Sequence, residues 1–126
     1  MKKEFSMAWN SSRQVRKQRK FRFKAPLHVR HKLMSSMLSK ELRKKHNIIS
    51  IPVRTEDEVK VMKGKFRGKV GKVSRVSLKK LKATIEKLQV QKKDGTKVDV
   101  WFQPSNLIIT ALNTEDKFRI NPRETQ

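Results

Sequence analysis

Lys63, Lys65, Arg67, Lys69 and Lys72 fall within one short stretch, separated by Gly64, Gly68 and Gly71 and joined by a single aromatic, Phe66. Ammonium and guanidinium groups at such spacing neutralise phosphates, and an exposed aromatic adds a stacking face. Three of the chain's 4 glycines lie here, where positive φ or close backbone approach is wanted. A second cluster packs Arg13, Arg16, Lys17, Arg19, Lys20, Arg22 and Lys24 around Phe21 and Phe23, again pairing phosphate neutralisation with faces for unpaired bases. The chemistry is recognition of a polyanion, with bond making nowhere in view. A basic run of this kind could also supply a nuclear-import signal, and the two uses are compatible, but an extended arm laid along nucleic acid is the favoured reading over a free tail.

These groups need elements to hold them. Val59 and Val61 alternate with Lys60, and Val73 and Val76 resume the pattern beyond the glycines, so a strand, a cationic turn and a second strand are expected. Residues 1–24 lack any sustained apolar period and read as a basic extended arm. Residues 25–54 read as a short helical segment and connector. Pro26 suits a first helical turn, Val29, Leu33 and Met37 form a narrow stripe, and Ser39 and Glu41 suit the start of a second helix. Leu38 and Leu42 are expected to tuck against the β domain. Ile48–Arg54 is an extended connector whose Pro52 bars a central strand.

Residues 55–112 carry the sheet. Ala83 and Ile85 alternate, and Leu88 and Val90 alternate in the opposite phase, which places a bulge near Glu86–Lys87. Asp94-Gly95 predicts a type I′ hairpin, followed by a strand with Val98, Val100 and Phe102 on one face. Trp101, on the other face, is expected to cover the docked N-terminal segment. Asn106–Leu112 closes the domain. Five short strands with tight connections predict a mainly β fold, a small SH3-like barrel with a basic N-terminal extension containing two short helices. Glu56-Asp57-Glu58 reads as a solvated turn, and residues 113–126 as a flexible tail.

Composition narrows the partner. Lys+Arg number 33 against Asp+Glu 11, a net charge of +22 over 126 residues with a sequence pI near 11.0. Residues 1–50 hold 15 basic and 2 acidic side chains, the more extreme half. Such self-repulsion calls for a polyanionic partner, nucleic acid above all. With 0 Cys, disulfides and thiolate zinc sites are excluded. His28 and His31 lie three residues apart, but no carboxylate lies close to them in sequence, so no metal or cofactor is expected and hydrogen bonding to phosphate or backbone is the reading. No apolar run reaches the roughly 18–20 residues of a membrane span, and the N-terminus lacks the apolar core of a secretory signal. No paired carboxylates, triad or metal spacing suggests an enzyme.

The stretch Val59–Val76 resembles the KOW motif of ribosomal and transcription-elongation proteins. Its flanks carry more: Ala25-Pro26, His28, Arg30, Met34-Ser35-Ser36, Leu38–Arg43, Pro52-Val53-Arg54, Asp57-Glu58-Val59, Asp94-Gly95-Thr96, Pro104-Ser105 and Ile109-Thr110. Over about residues 12–112 the chain resembles the eukaryotic and archaeal large-subunit ribosomal protein family numbered twenty-six in the eukaryotic scheme, counterpart of bacterial protein twenty-four. The resemblance implies a structural role in the large subunit, rRNA binding near the polypeptide exit tunnel and a part in early subunit assembly. By position it places RNA contacts on Arg13–Lys24, on His28, Arg30, Lys32, Ser35, Ser36, Lys40, Arg43 and Lys44, and on the loop Lys63–Lys72. It further implies neighbouring large-subunit proteins and tunnel-exit factors as partners, no homo-oligomer, and a cytoplasmic ribosome with nucleolar passage during assembly. Leu27, His31, His46 and Trp101 depart from the family's usual residues, the loop is one residue short, and no Lys-rich C-terminal extension is carried over. A KOW-type transcription-elongation regulator is the alternative; it leaves the Met34–Arg43 segment unexplained.

Overall fold

A computed structural model describes residues 5–120; residues 1–4 of the predicted arm and 121–126 of the predicted tail lie outside them. A 3-10 turn at Met7–Ser11 leads to α1 (Val15–Lys24), α2 (Leu27–Leu33), β1 (Ser35–Leu38), α3 (Lys40–His46), β2 (Ser50–Pro52) and β3 (Glu58–Val61). Then come β4 (Val70–Ser77), β5 (Lys82–Gln91), β6 (Lys97–Phe102), a 3-10 turn at Pro104–Asn106, β7 (Leu107–Ala111) and a last 3-10 turn at Lys117–Arg119. The strands form one seven-stranded sheet in the order β2-β1-β7-β3-β4-β5-β6. The fold is mainly β, but the predicted closed barrel is corrected to an open sheet. The reason lies in β1, which pairs parallel with β7 and antiparallel with β2. The sheet therefore grows outward from β7, and β2 and β6 remain its two edges.

The spacing of Val29, Leu33 and Met37 predicts a helical stripe, but Ser35–Leu38 is a strand. Helix α2 stops at Leu33, and from there the apolar period switches to two: Met34, Ser36 and Leu38 turn inward, Ser35 and Met37 outward. Ser-Ser-Met-Leu has little β-propensity of its own; the pairing and burial offered by β7 and β2 decide the outcome. Pro52 then sits at the end of edge strand β2, where a missing N–H costs nothing. Helix α3 starts at Ser39, whose hydroxyl accepts from Leu42 N, and ends at Asn47 in the left-handed conformation (φ 53°), its N–H donating to Arg43 O at 2.8 Å.

The core is drawn from all these strands: Met34, Leu38, Ile51, Val53, Val59, Val61, Val73, Ala83, Ile85, Leu88, Phe102, Leu107 and Ile109. Lys87 takes φ 62°, and the β5–β6 register shifts between Thr84 and Gln89, which is where the sequence places a bulge. The hairpin turn differs from the type I′ expectation. Only Gly95 has positive φ (91°), and Gly95 N donates to Lys92 O at 3.0 Å, so the turn closes through one left-handed glycine. Gly71, in β4 opposite Val59, has a different constraint: a Cβ there would lie 2.7 Å from Ile85 Cγ2 and 3.3 Å from Glu86 O. Ile85 is itself buried and has nowhere to go. Gly71→Ala should therefore cost about 1–3 kcal/mol as overpacking, read as a lowered urea midpoint with an unchanged denaturant slope; an unaltered midpoint would contradict the close packing.

Two predicted unstructured regions are ordered. Residues 15–24 are helical rather than extended, because Arg, Lys and Gln are good helix formers and no Gly or Pro interrupts them. Ala25, preceding Pro26, is extended (ψ 132°) and ends the helix. Phe21, Ala25 and Val29 are buried together with Phe5 and Leu33 against them, a small second core that docks α1 on α2. At the other end, Asp57 is not in a solvated turn but fully buried. Its carboxylate accepts from Arg54 N (2.8 Å) and Asn113 N (3.0 Å) and is gripped at both oxygens by Arg119. Residues 113–120, predicted to fray, are thus latched to the sheet.

Candidate nucleic-acid interface

The Gly-rich loop between β3 and β4 is held at both ends by backbone. Gly68 N donates to Val61 O at 2.8 Å, Val61 N to Lys69 O at 2.9 Å, and Arg67 N to Gly64 O at 3.1 Å. Gly64 and Gly68 take φ of 91° and 84°, conformations other residues adopt only under strain. This tight course turns Lys63, Lys65, Arg67 and Lys69 outward, all exposed. Lys72 is exposed too, 3.8 Å from Glu56. Phe66 is the correction here. It is half-buried and packs edge-on against Phe102 (5.9 Å between centroids), so it anchors the loop to the core instead of offering a free face. Lys69 Nζ stands 5.3 Å from its ring.

Helix α1 presents Arg16, Lys17, Arg19, Lys20, Arg22 and Lys24 to solvent, with Arg13 exposed just before it. The two aromatics divide: Phe21 is buried, while Phe23 is 76% exposed and keeps its face. Arg22 and Lys24 also favour the negative end of the helix dipole.

The middle segment is partly committed to the fold. His28, Lys32, Lys40 and Lys44 are exposed. Ser36 is 1% exposed and its hydroxyl donates to Pro104 O at 2.6 Å, so it faces the interior and not an RNA surface, contrary to expectation. Ser35 Oγ donates to Lys32 O at 2.7 Å, Arg43 Nε to Leu38 O at 2.7 Å, and Arg30 to Phe23 O at 2.6 Å. The last bond ties α2 to the end of α1.

One cationic group escaped the sequence reading. Lys79, Lys80 and Lys82, at the β4–β5 turn, face Arg19, Arg22 and Phe23 of α1 across a cleft of about 390 Å³. The run Lys-Lys-Leu-Lys was visible, but only the docking of α1 makes it one wall of a cleft. The cleft and the Gly-rich loop adjoin: Gln103, Pro104 and Ser105 line the cleft, and Asn106 O accepts from Met62 N, at the root of the loop, at 2.8 Å. Trp101 is half-buried with Lys80 Nζ 5.0 Å from its ring, so a lysine of the turn covers it, where the N-terminal segment was expected.

Asp57, Asp94, Asp99 and Asp116 are engaged within the fold. Hydrogen bonds from Gln89 and then Arg75 hold the Asp99 carboxyl below its usual range; Arg54 does the same for Asp116, and Thr96 for Asp94. Among the described residues the ion pairs are Arg54–Asp116, Lys72–Glu56, Arg75–Asp99 and Arg119–Asp57. None engages Arg13, Arg16, Arg19, Arg22, Lys63, Lys65, Arg67 or Lys69. These eight can take phosphates without first breaking an ion pair of the described residues. Among these residues no helix is long and apolar enough to cross a membrane. In a comparison with known protein families, residues 12–122 match the model described as ribosomal proteins L26, eukaryotic, and L24p, archaeal.

Proposed function

The chain belongs to the family of eukaryotic L26 and archaeal L24p ribosomal proteins, and on that footing we propose that it binds large-subunit rRNA near the polypeptide exit tunnel and helps the subunit assemble. Membership carries a structural role in the large ribosomal subunit. The observation that supports the finer reading is the set of exposed cations Arg13, Arg16, Arg19 and Arg22 at α1 and Lys63, Lys65, Arg67 and Lys69 on the Gly-rich loop, none of them in an ion pair of the described residues.

The sheet, with β1 and β2 contributed from within residues 25–54 and the other strands from residues 55–112, acts as a rigid platform in which the loop is rooted by backbone hydrogen bonds; α1 and α2 supply helical reach and residues 113–120 a latch. Each phosphate neutralised releases counterions and steepens the salt dependence by roughly 0.7–0.9 log units per contact. Site selection then comes from RNA shape and 2′-hydroxyl contacts, because the A-form major groove is too narrow for side chains to read. Neighbouring large-subunit proteins are its further partners, factors at the tunnel exit dock on the face turned from RNA, and assembly takes the chain through the nucleolus. It acts as a scaffold and performs no catalysis.

The double variant Lys65→Ala/Arg67→Ala tests the loop. Both side chains are exposed, so the expected melting temperature stays within about 1–2 °C. Affinity for a large-subunit rRNA fragment should fall, with the salt slope reduced by about 1.4–1.8. Equal thermal destabilisation with unchanged binding would contradict the assignment.

A further inference from the structure

The cleft between α1 and the β4–β5 turn carries more than charge. Its two walls are cationic, Arg19 and Arg22 on the helix and Lys79, Lys80 and Lys82 on the sheet, and no carboxylate lines it. Leu33, Leu81 and Pro104 give it an apolar part. Phe23, 76% exposed, also borders it and leaves an aromatic face open to solvent at the cleft's edge. Its volume, about 390 Å³, is at the small end of the roughly 300–1,000 Å³ typical of small-ligand pockets. That space suits one nucleotide and not a paired helix.

The turn itself is unusual. Leu81 is held at φ 52°, a conformation rarely adopted by a bulky side chain. Its side chain packs against the main core while Lys80 and Lys82 on either side line the cleft. Lys80 N donates to the Ser77 hydroxyl at 3.3 Å and tightens the same turn. Backbone strain of this kind collects where a site must be aimed.

The geometry points to a pocket for a single unpaired nucleotide of RNA: the base stacks on Phe23 over the apolar part, and its flanking phosphates lie between the helix arginines and the turn lysines. The assignment rests on the RNA-binding reading above but adds a preference that the exposed cations alone would not create. It is tested with the full chain and two RNA hairpins of equal length, one fully paired and one carrying a single-nucleotide bulge, by fluorescence anisotropy. The wild type should prefer the bulged hairpin by roughly tenfold, the scale of one base–aromatic stack. Phe23→Leu and Lys79→Ala/Lys82→Ala should each bring that ratio near one, while Lys65→Ala/Arg67→Ala lowers both affinities and keeps the ratio. A ratio unchanged in the Phe23 and Lys79/Lys82 variants overturns the pocket and leaves RNA binding standing. Stronger competition by poly-glutamate than by either hairpin would give the cleft to an acidic peptide and overturn it as well. Failure of the wild type to bind either hairpin would remove the RNA-binding reading and the pocket with it.

Discussion

Replacing Arg119 by alanine is expected to destabilise the fold by about 3–5 kcal/mol, as removal of one partner from a buried ion pair does. The Arg119 side chain is 3% exposed and that of Asp57 0%. Besides gripping the carboxylate, Arg119 donates to Pro52 O at 3.1 Å and Asn113 O at 3.0 Å. Removing it leaves a desolvated carboxylate with two backbone N–H donors and no countercharge. Small domains hold only about 5–15 kcal/mol in all, so the variant should melt on the order of 10–20 °C lower. Arg54→Ala is the matched control. It removes an exposed pair with Asp116, the two side chains 51% and 42% exposed, and should cost less than about 1 kcal/mol. In a double-mutant cycle, adding Asp57→Asn to Arg119→Met should cost much less than the sum of the single changes. A loss at Arg119 no larger than at Arg54 would mean that the latch on residues 113–120 is not made in solution.

Changing Arg13, Arg16, Arg19, Arg22 and Lys24 together to glutamine is expected to have the largest effect on RNA binding. All five are exposed, and glutamine preserves helix propensity and length. Loss of five phosphate contacts would flatten the log–log salt dependence by about 3.5–4.5 and lower affinity by orders of magnitude at low salt. Phe21, Ala25 and Val29 are untouched, so α1 should stay docked and the far-ultraviolet spectrum unchanged. A salt slope equal to the wild type would show that α1 faces away from the RNA.

The strand–loop–strand at residues 58–77, the capped helix at Ser39, the bulge near Lys87 and the edge character of Pro52 were legible because each depends on local period or a local backbone rule. What escaped was set by distant partners. Asp57 sits in an acidic triplet that looks solvated, and only Arg119, 62 residues on, makes its burial tolerable. Ser36 looks like a polar surface contact until Pro104 O is brought to its hydroxyl. Phe66 looks exposed in a run of cations, yet Phe102 gives its ring a packing partner. The basic segment before Pro26 reads as an arm because its apolar residues are sparse; Phe21 needs Val29 and Phe5 to become a core. The barrel became an open sheet for the same reason, since no local signal marks Ser35–Leu38 as a strand. The exposed cations of α1 and the Gly-rich loop were legible by composition, whereas the cleft that Arg19 and Arg22 form with Lys79 and Lys82 required the docked helix.

The central claim, that this chain is built into the large ribosomal subunit by its RNA contacts, is tested most directly by sedimentation. A tagged chain in cell extract is run on a sucrose gradient before and after a wash at ~0.5 M salt, where screening strips simple surface binders. The account predicts that it travels with large subunits and stays there after the wash. Release by the wash, or a peak in light or polymerase-containing fractions, would contradict it.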